Sequence, residues 1–267
     1  MKARLGQLET QFVAYAQMRK LRTVRQGDLS RSMLRLTPAQ ERKLLSRLSR
    51  AKLIARVRRG LYLVPPRLPL GGVWTPDEAL AINTVIADRR GRYQICGPNT
   101  FNLYGYDNQV PNRVYAYNNR ISGTRTIGAI SLNLIKVADV RLGETEEKQT
   151  ADGETAVYAS RVRTLLDAVY DWSRFGTLPR AYGWIRADLV ARRITPADLV
   201  RVTLRYGDIG TIRRIGALLE RESVDKTLLR KLEKRVLRSA AAIPWIPRLP
   251  KRGRINRRWG IVENGDV

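Results

Sequence analysis

The chain has no histidine among its 267 residues and a single cysteine, Cys96, so the chemistry open to it is that of carboxylates, lysine and arginine. Without histidine the commonest general base near neutral pH and the commonest metal ligand are both missing. Serine triads, cysteine–histidine dyads and histidine-based zinc sites are excluded. One cysteine likewise excludes an internal disulfide framework and a cysteine-rich zinc site, and it fits a reducing, cytoplasmic setting. One catalytic pattern remains. Asp139, Glu146 and Lys148 follow a strand-like run in the order of a metal-dependent nuclease, where two carboxylates would hold Mg²⁺ and lysine would position water. Against it, Gly143 and the run Glu144-Thr145-Glu146-Glu147 read as a polar loop or exposed edge strand. No cofactor, metal site or enzymatic role is expected.

The other constellation is cationic. Gln40, Lys43, Arg47 and Arg50 recur at helical spacing, and at roughly 100° per residue they share one helix face while Leu44, Leu45 and Leu48 share the opposite one. Arginine reads guanine and glutamine reads adenine through paired hydrogen bonds in the major groove, so Gln40, Lys43 and Arg47 are the base-reading candidates. Arg50, with Arg56, Arg58 and Arg59 just downstream, suits phosphate contacts that fix register.

These residues need elements to hold them. Leu8, Phe12, Val13 and Ala16 predict an amphipathic helix over 6–18, Thr23 and Val24 a short extended link, and 26–34 a second helix with Leu29 and Met33 inward. Thr37, Pro38 and Gln40 are the N-cap, first-turn proline and capping-box residues of a third helix. Residues 54–64 alternate β-branched, aromatic and basic side chains about Arg59-Gly60, which predicts a hairpin closed by Pro65 and Pro66. Three helices followed by a basic hairpin is the order of a winged helix, in which the third helix enters a major groove roughly 12 Å wide.

Fifty basic and twenty-four acidic residues give a net charge of +26, which favours polyanionic partners. The charge is concentrated at the ends: residues 1–70 carry +14, 71–225 carry +3 and 226–267 carry +9. Length and patterning predict two domains, a winged helix-turn-helix over 1–66 and an α+β domain over 75–267, joined by a proline- and glycine-rich link at 67–74. In the second domain Thr75 and Pro76 open a helix to about residue 88. Strands follow at 93–96, 113–117 and 130–137, a short helix at 98–104, and a helical bundle from 161 to 239. Nothing in the chain resembles a signal core or a membrane span.

The closing segment combines Lys251, Arg252, Arg254, Arg257 and Arg258 with Trp245 and Trp259. With Arg213 and Arg214 these cations and Trp259 form a candidate second surface for a polyanion or a docking partner. The alternative is a packed extension pinned by the two tryptophans, with its cations solvated. RNA is a further possible contact, although neither basic region carries the aromatic sheet motif or glycine-lipped clamp of common RNA modules.

Residues 44–64 (LLSRLSRAKLIARVRRGLYLV), 159–167 (ASRVRTLLD), 213–220 (RRIGALLE) and 251–264 (KRGRINRRWGIVEN) together resemble the AbiEi antitoxins of bacterial abortive-infection toxin–antitoxin systems. The resemblance implies a winged helix that represses its own operon by binding inverted repeats in double-stranded DNA. It further implies a second domain that counteracts a nucleotidyltransferase toxin without a stable complex. DNA contacts then fall on Lys43, Arg47, Arg50, Arg56, Arg58 and Arg59, and no catalytic residue is carried over.

Overall fold

Short-range signals in the sequence account for most of the elements, and one of the best-formed helices is also the most clearly capped. A computed structural model describes residues 6–31, 36–67, 73–236 and 241–265. In chain order the elements begin with α1 (Gln7–Met18), β1 (Thr23–Arg25), α2 (Pro38–Arg50), β2 (Ala55–Arg58), β3 (Leu61–Leu63), α3 (Glu78–Asp88) and β4 (Tyr93–Ile95). Next come α4 (Pro98–Leu103), β5 (Val114–Asn118), β6 (Gly123–Ile127), β7 (Ile130–Lys136), a 3₁₀ turn (Asp139–Arg141), β8 (Thr145–Gln149) and β9 (Thr155–Ala159). The chain closes with α5 (Arg161–Tyr170), α6 (Trp172–Phe175), α7 (Arg180–Val190), α8 (Pro196–Tyr206), α9 (Ile209–Arg221), α10 (Lys226–Glu233), β10 (Ile243–Pro244), β11 (Arg254–Asn256) and β12 (Ile261–Glu263). The fold class is α+β, and no helix among the described residues is long and apolar enough to cross a membrane.

The compact units differ from the expected 1–66, 67–74 and 75–267 division. The first comprises Met1–Tyr93, Asn112–Val137 and Glu147–Ala156; the second comprises Gln94–Pro111, Ala138–Glu146 and Val157–Val267. Residues 73–93 belong with the amino-terminal helices. Trp74 N donates to Lys52 O at 2.9 Å, and Asp88 at the end of α3 bonds Arg25 and Arg58. The β6–β7 turn lies against β2, since a side chain at Gly128 would touch Ala55 and Pro76. A cut between residues 66 and 75 therefore passes through one packed unit.

In the first unit β3 is the middle strand of a three-stranded sheet, β1-β3-β2. Thr23 faces Leu63 and Arg25 faces Leu61, while Ala55 faces Leu63 on the other side, with a bulge between Arg56 and Arg58. The link expected at Thr23 and Val24 is thus an antiparallel strand. Phe12 and Ala16 of α1, Leu44, Leu45 and Leu48 of α2, and Val24, Leu29, Leu53, Ile54 and Val64 form one core. Burying each leucine of α2 stabilises by about 1.5–3 kcal/mol, which fixes the helix by its apolar face. The helix expected over 26–34 is not formed at 26–31, where the backbone turns; residues 32–35, including Met33, lie outside the described residues. The same unit holds β5 parallel to β7 and β6 antiparallel to β7, from Val114 facing Leu132 to Gly123 facing Leu134. Asp77, rather than Thr75, caps α3, accepting from the N–H groups of Ala79 and Leu80 at 2.8 and 3.2 Å.

The second unit is built on α5, α7, α8 and α9, whose Leu165, Leu166, Tyr182, Ile185, Leu199, Ile215 and Leu218 are buried in one cluster with Trp245 and Trp259. Ile95 of β4 pairs in parallel with Tyr158 of β9. The carboxy-terminal segment folds into a small sheet, β10-β12-β11, which sequence periodicity did not predict because each strand has three residues or fewer. Residues 234–236 leave the helix expected to continue to 239, and 237–240 lie outside the described residues.

Candidate nucleic-acid interface

Helix α2 presents its cations because its start and its inner face are both fixed. Gln40 N donates to Thr37 Oγ1 at 3.3 Å, and Gln40 Oε1 accepts from Thr37 N at 2.9 Å, a closed capping box. Glu41, placed by its position on the apolar side, is fully buried. Its carboxylate accepts from Gly27 N at 2.9 and 3.0 Å and from Leu29 N at 3.1 Å, which holds the 26–31 turn against the helix. Sequence reading gave Glu41 no role, because nothing local links it to a turn fourteen residues earlier.

Lys43, Arg47 and Arg50 all point outward on α2 and are exposed, and the neighbouring Arg42 and Lys52, not among the expected contacts, are exposed as well. Residues 38–60 contain eight cations and one carboxylate, the buried Glu41. The stripe is not uniform. Arg47 Nη2 pairs with Glu9 Oε1 of α1 at 2.8 Å, which holds the guanidinium along the helix, while Arg50 Nη2 donates to Ser46 Oγ at 3.3 Å. Gln40 is exposed, yet its Oε1 already accepts from both the backbone and the hydroxyl of Thr37. Paired recognition of adenine needs that oxygen and the amide nitrogen together, so the cap competes directly with the base-reading role expected of Gln40.

In the hairpin, Arg56 and Arg59 are exposed. Arg58 is engaged: its Nε and Nη2 donate to the two oxygens of Asp88, each at 2.7 Å, and Arg25 Nη1 donates to the same carboxylate at 3.1 Å. This bidentate pair ties β2 and β1 to the end of α3, so Arg58 serves first to fix the hairpin. The guanidinium of Arg58, with that of Arg25, holds the Asp88 carboxyl down to about 2. A depressed folded-state value contributes stability that is whole above the unfolded carboxylate range and is lost as pH falls through the folded one. Acid unfolding of the native chain and of Asp88→Asn should therefore differ most above pH ~4 and converge toward pH ~2. A constant gap across that range would show that the tie is not titrating.

The carboxy-terminal candidates separate into two groups. Trp259 is fully buried and donates Nε1 to Glu220 Oε2 at 3.0 Å. Gly216 of α9 lies beneath it, and a Cβ there would overlap the indole ring, which explains a glycine in the middle of a helix. Arg213 is buried and donates to the carbonyls of Trp259 at 2.7 Å, Ala241 at 3.0 Å and Gly260. Arg214 is buried beside Pro244 O and the Trp172 ring, and Arg258 bonds Glu220 at 2.7 Å and Glu233 at 3.0 Å. These four residues pin the extension; Trp259, Arg213 and Arg214 are buried and Arg258 is half-buried in its ion pairs, a correction to the expected set. Lys251, Arg252, Arg254 and Arg257 are exposed.

The nuclease pattern finds Asp139 in the 3₁₀ turn and Glu146 on β8, where Glu146 accepts from Tyr104 Oη at 3.1 Å. Among the described residues no group of three or more potential ligands is arranged to hold a metal.

The chain shares its fold with a mycobacterial protein. The crystal structure of the RV2827C protein from Mycobacterium tuberculosis matches with a TM-score of 0.62, covering 97% of this chain and 92% of that one. Identity over the match is 12%, so the likeness is one of fold. No family model matches the chain, and no curated protein does.

Proposed function

We propose that the chain is a DNA-binding regulator whose amino-terminal part is a winged helix, with α2 as the reading helix and the β2–β3 hairpin as the wing. The observation that carries this reading is the outward stripe of Lys43, Arg47 and Arg50 on a capped helix, beside a hairpin that exposes Arg56 and Arg59. Lys43 and Arg47 read base edges; Arg50, Arg56 and Arg59 hold phosphates. Arg58 sets the wing's position through Asp88.

The AbiEi-like blocks support a second half to the reading: an antitoxin that represses its own operon at inverted repeats and counteracts a nucleotidyltransferase toxin. On that account an adjacent reading frame encodes a nucleotidyltransferase, and co-expression of this chain relieves the growth arrest it causes. An adjacent frame of another kind, or arrest that persists, leaves only the DNA-binding half.

The DNA reading is tested by titrating the native upstream duplex, a scrambled duplex and tRNA at matched salt. Arg47→Ala should lower affinity for the upstream duplex by about 1–3 kcal/mol and reduce the preference over scrambled DNA. Arg59→Ala should weaken both duplexes alike and flatten the salt dependence by about one unit. Equal losses on both duplexes from the two variants would remove base reading from Arg47, and tighter binding to tRNA than to either duplex would overturn the reading.

A further inference from the structure

Several arginines of the second unit are paired with carboxylates. Arg161 bonds Asp188, Arg163 bonds Asp167, Arg186 bonds Glu222, Arg201 bonds Glu144 and Arg258 bonds Glu220. In the ribbon that leads into β11 Arg258 alone has such a pair among the described residues. Residues 248–258 contain six cations and no carboxylate, and Lys251, Arg252, Arg254 and Arg257 are exposed with no ion pair among the described residues.

The ribbon is also rigidly held. Arg254, Ile255 and Asn256 pair antiparallel with Glu263, Val262 and Ile261. Gly253 has φ +149°, and a Cβ there would collide with the carbonyl of Glu263, so the approach to the strand accepts only glycine. Asn256 anchors the turn from below: its Nδ2 donates to Glu220 at 3.0 Å, and its Oδ1 accepts from the N–H groups of Arg258 and Trp259 at 3.1 and 3.3 Å. Beside it opens a groove of ≈ 760 Å³ bounded by Arg254, Ile255, Asn256, Arg257 and Glu263. The one carboxylate on the groove, Glu263, is already bonded to Arg221 at 3.0 Å.

We propose that this ribbon is a second nucleic-acid contact, one that grips the phosphodiester backbone without reading bases. Three of its four free cations are arginines, whose planar forks match phosphate oxygens better than an ammonium does. Preorganised cations lose little freedom on binding, which a solvated tail would not spare. Base reading is absent because the groups that would perform it are used elsewhere. The Asn256 amide is bonded on both sides, and Trp259 lies buried under the ribbon and cannot stack. Two exposed apolar side chains, Leu249 and Ile255, are too little to insert into a membrane.

The test uses the full chain carrying Lys43→Ala, Arg47→Ala and Arg50→Ala, so that the α2 surface does not mask the ribbon. Binding of a scrambled duplex DNA and of a single-stranded RNA of equal length is followed by fluorescence anisotropy over a salt series. Adding Arg254→Gln with Arg257→Gln should weaken binding roughly tenfold at low salt and reduce the slope of log K against log salt by about two units. Arg254→Lys with Arg257→Lys should keep the slope. Loss on one probe alone identifies DNA or RNA as the ligand. Unchanged affinity and slope on both probes, with an unaltered melting temperature, overturns the proposal. Should the glutamine pair disturb folding, Lys251→Gln with Arg252→Gln, in the preceding exposed turn, must show the same loss of slope or the proposal fails.

Discussion

Replacing Glu41 by alanine is expected to destabilise the first unit by about 3–5 kcal/mol, more than the loss of any one surface cation on α2. Two backbone N–H groups, those of Gly27 and Leu29, donate to this fully buried carboxylate. Hydrogen bonds to a charged group contribute about 1.5–3 kcal/mol each, and removing the acceptor forfeits both. The effect reaches function as well. The turn that Glu41 fastens places Leu29 in the core beneath α2, so, if α2 binds DNA as proposed, the variant should bind the upstream duplex more weakly although none of the α2 cations is altered. Glu41→Gln keeps one accepting oxygen and should recover part of the loss. Urea unfolding followed by far-ultraviolet circular dichroism measures both variants. A loss below about 1 kcal/mol in Glu41→Ala would mean that the turn finds other acceptors.

A comparable loss, about 3–5 kcal/mol, is expected in the second unit from Arg163→Ala. The guanidinium is fully buried on α5. It donates Nε to Asp167 at 3.0 Å, Nη1 to Gly143 O at 3.1 Å and Nη2 to Arg141 O at 2.7 Å, and it lies 4.1 Å from the Tyr206 ring. Truncation leaves the Asp167 carboxylate buried with Arg141, at 3.4 Å, as its one ion-pair partner among the described residues, and removes a donor from each of two carbonyls of the 138–146 segment. The cost comes from the uncompensated charge rather than from the attraction of the pair. Arg163→Met combined with Asp167→Leu removes both charges and should therefore be less destabilised than Arg163→Ala alone. The two carbonyls that lose a donor keep it below the native chain. If the double variant proved the weaker of the two, a buried charge would not be the source of the loss.

Both residues occur in stretches whose local character was legible while their roles were not. The ASRVRTLLD block lies where the helical reading begins at residue 161, and Ser160, for which no role was expected, caps α5 by accepting from Arg163 N at 3.3 Å. That Arg163 and Asp167 lie one helical turn apart is visible in the spacing; that the pair is buried under the 138–146 segment is not. Glu41 likewise projects to the leucine side of α2, but its partners belong to a turn rather than to the helix predicted there. The 26–31 segment carried helix-like spacing at Leu29 and a glycine at position 27, and the glycine's φ of +104° accords with the turn.

The amino-terminal elements were legible as far as they are local. α1, α2 and the hairpin fall where periodicity, capping and β-branched alternation put them. The strand β1 has three residues and gains its identity only from hydrogen bonding to β3, forty positions on by the register of Thr23 with Leu63. The small carboxy-terminal sheet is of the same kind. Its tryptophans signalled packing, but the pairing of Ile243 with Ile261 has no periodic signature.

Residue order alone settled whatever depends on neighbours within a few positions: the capped start of α2, its division into a leucine face and a cationic face, the exclusion of histidine chemistry, and the concentration of charge at both ends. The folded molecule decided which cations are available. Arg58 is tied by an aspartate thirty positions away, Arg258 by a glutamate thirty-eight positions away, and Arg213 by backbone carbonyls, whereas Lys43, Arg56, Arg254 and Arg257 face solvent. Helical and strand periodicities are enforced by local backbone geometry and so are written in spacing. An ion pair between distant residues forms only where folding brings the two charges within a few ångströms, and no local spacing encodes that distance.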